Sequence, residues 1–286
     1  MRYLIVNADD FGLHQDINRG IIKGFQEGFI TSTSLMCSAP CFEQAVALAK
    51  ENLQLGIGLH LTLVGGVKPL LPLTQVTTLI DEQGVFPADY LLFIKKFISG
   101  KINKAEIRAE LSAQIERGLA AGLNITHIDS HQHLHVLPGL IDIVIELCQK
   151  YQIPRLRMPA EALLWQGGYQ AGAARYIGKW GLTVCAQLAA RKAQQAGLRY
   201  PQHFFGMLAG GNLDEQLVKN MLQALPEGTS ELMTHPGLQA KQLRSLFTWG
   251  YHWEEELQAF LSLSNQNEIK ERAISLINFG GLDYAK

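Results

Sequence analysis

The sequence predicts an α/β protein: one domain built on a mostly parallel sheet or barrel. Short apolar runs alternate with amphipathic helical segments from Tyr3 to Glu51, and β-α-β-α order favours parallel strands. At 286 residues the chain can form one large barrel without a second core. Four of the short apolar runs end in aspartate or histidine, at the end where β/α folds collect their reactive groups.

Tyr3-Leu4-Ile5-Val6 is continuously apolar, as expected of a strand covered on both faces, and it leads into Asn7-Ala8-Asp9-Asp10-Phe11-Gly12. Adjacent carboxylates point to opposite sides of a regular strand, so Asp9 and Asp10 can serve one site only if the chain turns there, which Gly12 permits. Ile17, Ile21, Ile22 and Phe25 repeat at helical spacing and give a helix from Asp16 to Gly28. Residues 30–36 are the second strand and Phe42 to Glu51 the second helix. Leu55 to Leu63 is a third strand carrying one histidine, His60, in an otherwise apolar run.

From 64 to 100 the pattern breaks into an irregular insertion with Gly65-Gly66, Pro69, Pro72, Gly84 and Pro87, expected to cover substrate or make an oligomer contact. Lys104 to Gly122 is an amphipathic helix with Ile107, Leu111, Ile115 and Leu119 four apart. Leu140 to Cys148 suits a buried helix. Arg155 and Arg157 lie in a short strand bounded by Pro154 and Pro159, and Arg157 is placed to hold Asp9 ionised if it reaches the same rim. Residues 160–200 contain two basic helical pieces to which no chemistry is assigned. Tyr200 to Met207 suits either a sugar or lipid contact or core packing, and Glu231 to Gly237 is another apolar strand ending in a histidine, His235. Trp249, Tyr251 and Trp253 are read as packing, with a closing strand at 273–277.

The densest chemistry is Thr126-His127-Ile128-Asp129-Ser130-His131-Gln132-His133-Leu134-His135, which holds four of the nine histidines and one carboxylate. Packing alone does not ask for that, since each buried ring needs a partner for its N–H. Imidazoles beside an aspartate supply the N and O ligands of a divalent cation, with each ring's second nitrogen steered by a neighbouring acceptor. Catalytic metal sites usually keep three protein ligands and an open position. Not all four histidines can therefore be ligands, and the roles of His127, His133 and His135 stay open between holding the ligands and holding the fold.

A formal net charge of −1 with no basic stripe argues against a nucleic-acid partner. Cys37, Cys41, Cys148 and Cys185 form no CxxC pair and are expected as buried thiols in a reducing compartment. No stretch approaches the roughly 20 apolar residues of a membrane span, and the apolar run at the start is too short for a signal-peptide core. A cytoplasmic protein is expected.

One aspartate, two histidines and an open position describe a hydrolytic metal centre: Asp10, His60 and His131 as ligands of one divalent ion, metal-bound water as nucleophile, Asp9 as base and His235 as acid. The segments at Asn7 to Gly12, Gly58 to Leu61, His127 to His133 and Met233 to Pro236 resemble, in order and spacing, the motifs of the YdjC-like carbohydrate deacetylases. The resemblance implies a single modified (β/α) barrel over 1–286, of the glycoside hydrolase/deacetylase type. It also implies removal of an N-acetyl group from an N-acetylglucosamine-containing saccharide or glycolipid, and it supports the same ligands, base and acid. Arg157 matches a family position loosely.

The loop from Leu63 to Pro72 is more similar to the hopanoid-associated branch than to the chitooligosaccharide branch. That implies a glycolipid handled peripherally at the inner face of a membrane, although no amphipathic basic anchor stands out in the sequence. Two nitrogens and one oxygen suit zinc, cobalt, nickel or manganese, whereas the resemblance implies magnesium, which prefers oxygen, so zinc and magnesium both stay open. The competing readings are a metal-dependent phosphoesterase or amidohydrolase on a similar barrel, and a non-catalytic sugar- or metal-binding protein. A homodimer is left open.

Overall fold

The computed structural model describes residues 1–163 and 167–283. Its centre is β1 (Arg2–Phe11), whose residues from Leu4 onward are all buried because both faces of a parallel strand are covered. The helix α1 (Gln15–Gln26) returns the chain to β2 (Ser32–Leu35), and α2 (Phe42–Glu51) leads to β3 (Gly56–Leu61). The insertion that follows carries α3 (Tyr90–Ile98), and α4 (Lys104–Ala120) precedes β4 (Ile125–Ser130). A tight turn at His131–Val136 then enters α5 (Leu140–Lys150).

The second half contains α6 (Ala173–Gln195), β5 (His203–Phe205), α7 (Glu215–Ala224) and β6 (Gly228–Thr234). It closes with α8 (Ala240–Leu246), α9 (Trp253–Leu261), α10 (Leu263–Glu271) and β7 (Ile274–Leu276). Strand order is β4-β3-β2-β1-β6-β5, with every pairing parallel. β7 runs beside Arg2–Leu4 of β1, on the edge that β2 occupies further along.

The gap between β4 and β5 is bridged by single residues rather than by a full strand. Leu156 pairs with Ile128 of β4, and Glu161 pairs with Phe204 of β5. The segment the sequence marks as a proline-bounded strand thus closes the barrel with little regular structure, as prolines without N–H donors require. It also delivers Arg157, wholly buried, into the barrel mouth.

Three elements differ from expectation. The insertion at 64–100 contains α3, and the two helical pieces expected within 160–200 are one 23-residue helix, α6. Residues 164–166 of that stretch lie outside the described residues, as do 284–286. The closing strand is shorter than expected, at three residues.

Candidate active site

Asp9 and Asp10 reach one site because the backbone turns at Asp10 itself, with φ 67°, before Gly12 at φ 99°. Asp10 thereby gives up strand alternation, a left-handed conformation that a short polar side chain tolerates better than most. The C-terminal ends of β3 and β4 lie on the same side of β1 through β2, which brings His60 and His131 to Asp10. His131 Nδ1 is 2.9 Å from Asp10 Oδ1, and His60 Nε2 is 3.5 Å from the same oxygen. One ligand atom from each of Asp10, His60 and His131 lies within 4.8 Å of the others, and all three residues are buried.

The four histidines of the β4 segment go to four different environments. His127 stacks on Phe279 at 3.7 Å and faces the hydroxyls of Thr126 and Ser34, and burial pulls its pKa down to about 3. Gly58 makes room for that ring, since a Cβ there would lie 2.2 Å from His127 Cε1. After His131, Gln132 and His133 both adopt left-handed backbone at φ 56°, which reverses the chain within two residues. His133 packs edge-on against Phe204, and His135 is fixed between the Ser130 hydroxyl at 2.7 Å and the Arg157 carbonyl at 3.0 Å. Only His131 meets Asp10, and Gly65 of the insertion sits against it, where a Cβ would lie 2.9 Å from Nε2.

Beneath these groups lies a buried ion network. Arg157 donates to Asp9 Oδ1 and Oδ2 at 2.7 Å each and to Glu231 Oε1 at 2.7 Å, and pairs with Asp129 Oδ2 at 2.8 Å. Asp129 also accepts from the Ser34 hydroxyl at 2.7 Å and faces His60 Nδ1 at 2.7 Å. Because Asp129 lies outside the ligand set, His60 donates its Nδ1 proton to it and keeps Nε2 free for a cation, whereas His131 Nδ1 and Asp10 Oδ1 face each other as two would-be ligands. The sequence reading did not assign Asp129 this task. A carboxylate near the end of β4, two positions before the candidate ligand His131 in the turn that follows, was its only local signal.

The donor set fits a divalent cation on charge as well as on geometry. Asp9, Asp10 and Asp129 bring three formal negative charges into a buried volume where Arg157 supplies one positive charge. Burial raises the Glu231 carboxyl to about 8, against the pull of Arg157, so it adds little charge at neutral pH. Burial alone would lower His60, but the carboxylates of Asp129 and Asp9 raise it to about 10. Around Asp10, burial is more than offset by His131 and His60, which hold the carboxyl well below its ordinary range. The cluster therefore favours positive charge beside Asp10, where a metal ion would satisfy it better than a proton. A second grouping, Asp9 with His60 and Asp129, could also meet one ion, but Arg157 already bridges its two carboxylates.

His235 follows β6 and lines the same cavity as Asp9, His60 and His131. Its backbone N–H donates to Glu256 at 2.5 Å, its Nδ1 lies 3.8 Å from that carboxylate, and its ring lies 4.7 Å from Tyr251. Trp249 stands 5.4 Å from the His131 ring. Tyr251 lines the cavity and Trp249 packs on the candidate ligand His131, which corrects the reading of both as packing alone. The cavity has a volume of about 580 Å³. Beyond the polar floor its walls are mostly apolar, with Leu91, Ile94 and Ile98 from α3 and Ile177 and Leu182 from α6, and with Tyr90, Gln132 and Arg175 as polar exceptions. Met207 of the Tyr200 to Met207 stretch also lines it, whereas His203 does not.

Fold and site define a parallel α/β barrel enzyme whose strand ends gather imidazoles and carboxylates around one cavity. The YdjC-like protein family matches residues 3–271, and the chain belongs to that family. A carbohydrate deacetylase of Thermoanaerobacter pseudethanolicus is 30% identical over 98% of both chains. One of Clostridium beijerinckii is 32% identical over 96% of this chain and 98% of its own. In fold the chain is similar to a putative cellobiose-phosphate cleavage protein of Enterococcus faecalis, with TM-score 0.79 and 27% identity, covering 100% of this chain and 99% of that one. Full-length likeness to deacetylases makes this chain an enzyme of that class.

Proposed function

We propose that the protein is a metal-dependent carbohydrate N-deacetylase that removes the acetyl group from an N-acetylglucosamine-containing substrate, a glycolipid in preference to a free saccharide. The observation that carries the reading is the meeting of Asp10, His60 and His131 beside an arginine-held Asp9. Asp10 Oδ1, His60 Nε2 and His131 Nδ1 would hold one divalent ion, and two nitrogens with one oxygen favour a borderline cation such as zinc over magnesium. When bound, such an ion supplies Lewis acidity, lowering the pKa of water and polarising an amide carbonyl.

Asp9 is the general base. Its Oδ1 accepts from both Asn7 and Arg157, whereas Oδ2 accepts from Arg157 and keeps a lone pair on the side of His60, 4.0 Å away. Arg157 holds that carboxylate in one orientation through two hydrogen bonds. His235 donates a proton to the departing amine from another wall of the same cavity. The apolar side chains of α3 and α6 on either side of this floor suit a hydrocarbon aglycone, which supports the glycolipid reading.

Acetate release tests this directly. The metal-stripped chain, reloaded with zinc or magnesium, should release acetate from an N-acetylglucosaminyl lipid faster than from N-acetylated chitooligosaccharides. If metal binds and no N-acetylglucosamine conjugate yields acetate, the non-catalytic binding reading replaces this one. Two tightly bound ions per chain would favour the phosphoesterase or amidohydrolase alternative.

A further inference from the structure

Helix α6 carries its apolar stripe on the wrong side for a core helix. Ile177, Trp180, Val184 and Leu188 follow one another at three- and four-residue spacing and are all exposed, Ile177 by 71% and Trp180 by 53%. The buried side of the same helix is Lys179, Thr183, Ala186, Ala189 and Ala193. Across the cavity mouth, α3 behaves alike: Leu91, Leu92 and Ile98 are exposed, Ile98 by 78%, and only Phe93 is fully buried. Ile98 and Ile177 both line the cavity, so the two exposed faces flank one opening. Contiguous exposed apolar surface of this kind marks an interaction site.

Charge identifies the partner. The chain is nearly neutral overall, yet residues 90–105 contain Lys95, Lys96, Lys101 and Lys104 and no acidic residue. On α6, Arg191 is exposed, whereas Lys179 is buried against Glu161 and Lys192 is paired with Asp142, so the fringe is carried by Arg191 and the α3 lysines. Lys95 lies one turn from both Leu91 and Ile98, and Arg191 continues the α6 stripe beyond Leu188. An apolar ridge with a tryptophan and a basic fringe is complementary to the anionic headgroup layer of a membrane. A second copy of the chain, docked through the same faces, would bring like charges together.

We propose that the exposed faces of α3 and α6 seat this protein on a bilayer containing anionic lipid, with the cavity mouth opening onto the lipid surface. The glycolipid reading supplies the reason for such a surface, but the docking itself needs no glycosylated lipid. It can therefore fail or hold independently of deacetylation.

The test is flotation of the full chain with vesicles of phosphatidylcholine alone or with added phosphatidylglycerol, free of any glycolipid. Partitioning should be at least tenfold greater onto the anionic vesicles and should fall steeply with salt. Lys95→Gln and Lys101→Gln should each lower it about fivefold, which is what ~1 kcal/mol per basic residue at an anionic surface amounts to. Trp180→Ser with Leu188→Ser, neither of which lines the cavity, should lower it at least tenfold while acetate release from soluble N-acetylated chitooligosaccharides stays unchanged. Equal or absent partitioning onto the two vesicle types overturns the proposal. So does a concentration-dependent dimer, abolished by the same double substitution, in a protein that binds no vesicles.

Discussion

Replacing Asp129 with asparagine removes one charge and touches no group that would contact substrate. The carboxylate serves three partners: the Ser34 hydroxyl at 2.7 Å, His60 Nδ1 at 2.7 Å and Arg157 at 2.8 Å. An amide has one acceptor oxygen, so at least one of these donors meets an NH2 group instead. Arg157 keeps Asp9 and Glu231, so the stability cost is that of imperfect buried hydrogen bonds, about 1–3 kcal/mol, rather than that of an abandoned ion pair. At roughly 2–4 °C per kcal/mol, melting should fall by about 2–12 °C. The larger effect falls on the metal. With His60 no longer held as the Nδ1–H tautomer, affinity for zinc should drop about 10–100-fold, the usual cost of losing a carboxylate behind a histidine ligand. Competition against a chromogenic chelator measures it. Unchanged affinity in a folded variant would show that the Asp129–His60 contact does not orient a ligand.

Asp9→Asn should retain metal while turnover falls about 10²–10⁴-fold, as loss of a general base predicts; loss of metal as well, read by the same chelator competition, would make Asp9 a ligand. His131→Ala should weaken metal binding far more than His133→Ala, because only His131 meets Asp10; the reverse order in titration calorimetry would place the metal on the wrong histidine. Glu231, raised to about 8, is stabilising while protonated, so its contribution is complete below the ordinary carboxyl range and is lost as pH rises toward 8. Glu231→Gln keeps the acceptor for Arg157 without that titration. It should flatten the pH dependence of Tm between pH 5 and 8 and raise Tm at pH 8, by roughly 2–4 °C for each kcal/mol recovered, whereas an unchanged pH profile would show that Glu231 is already ionised.

The β-α alternation was legible because each early helix buries the stripe its sequence repeats, as Ile17 and Ile21 do in α1. The convergence of Asp10, His60 and His131 was legible because each stands at a strand end and parallel strands align their ends. Side chains contributed by distant segments left no local trace: nothing near Asp129 announces Arg157, and nothing near His131 announces Trp249. Helix α6 defeats periodicity for a physical reason. Its apolar stripe faces outward, its inner face is alanine with a buried lysine–glutamate pair between Lys179 and Glu161, and a rule that sends apolar residues inward reads it backwards. In α3 apolar residues stand almost all round, so no face is marked.

The measurement that bears most directly on the account is anomalous diffraction from crystals grown with zinc. One peak per chain is expected, about 2.0–2.2 Å from Asp10 Oδ1, His60 Nε2 and His131 Nδ1, with Asp9 nearby but not bonded to it. A peak between Asp9 and Asp129, two peaks in the cavity, or none at full zinc saturation would contradict it.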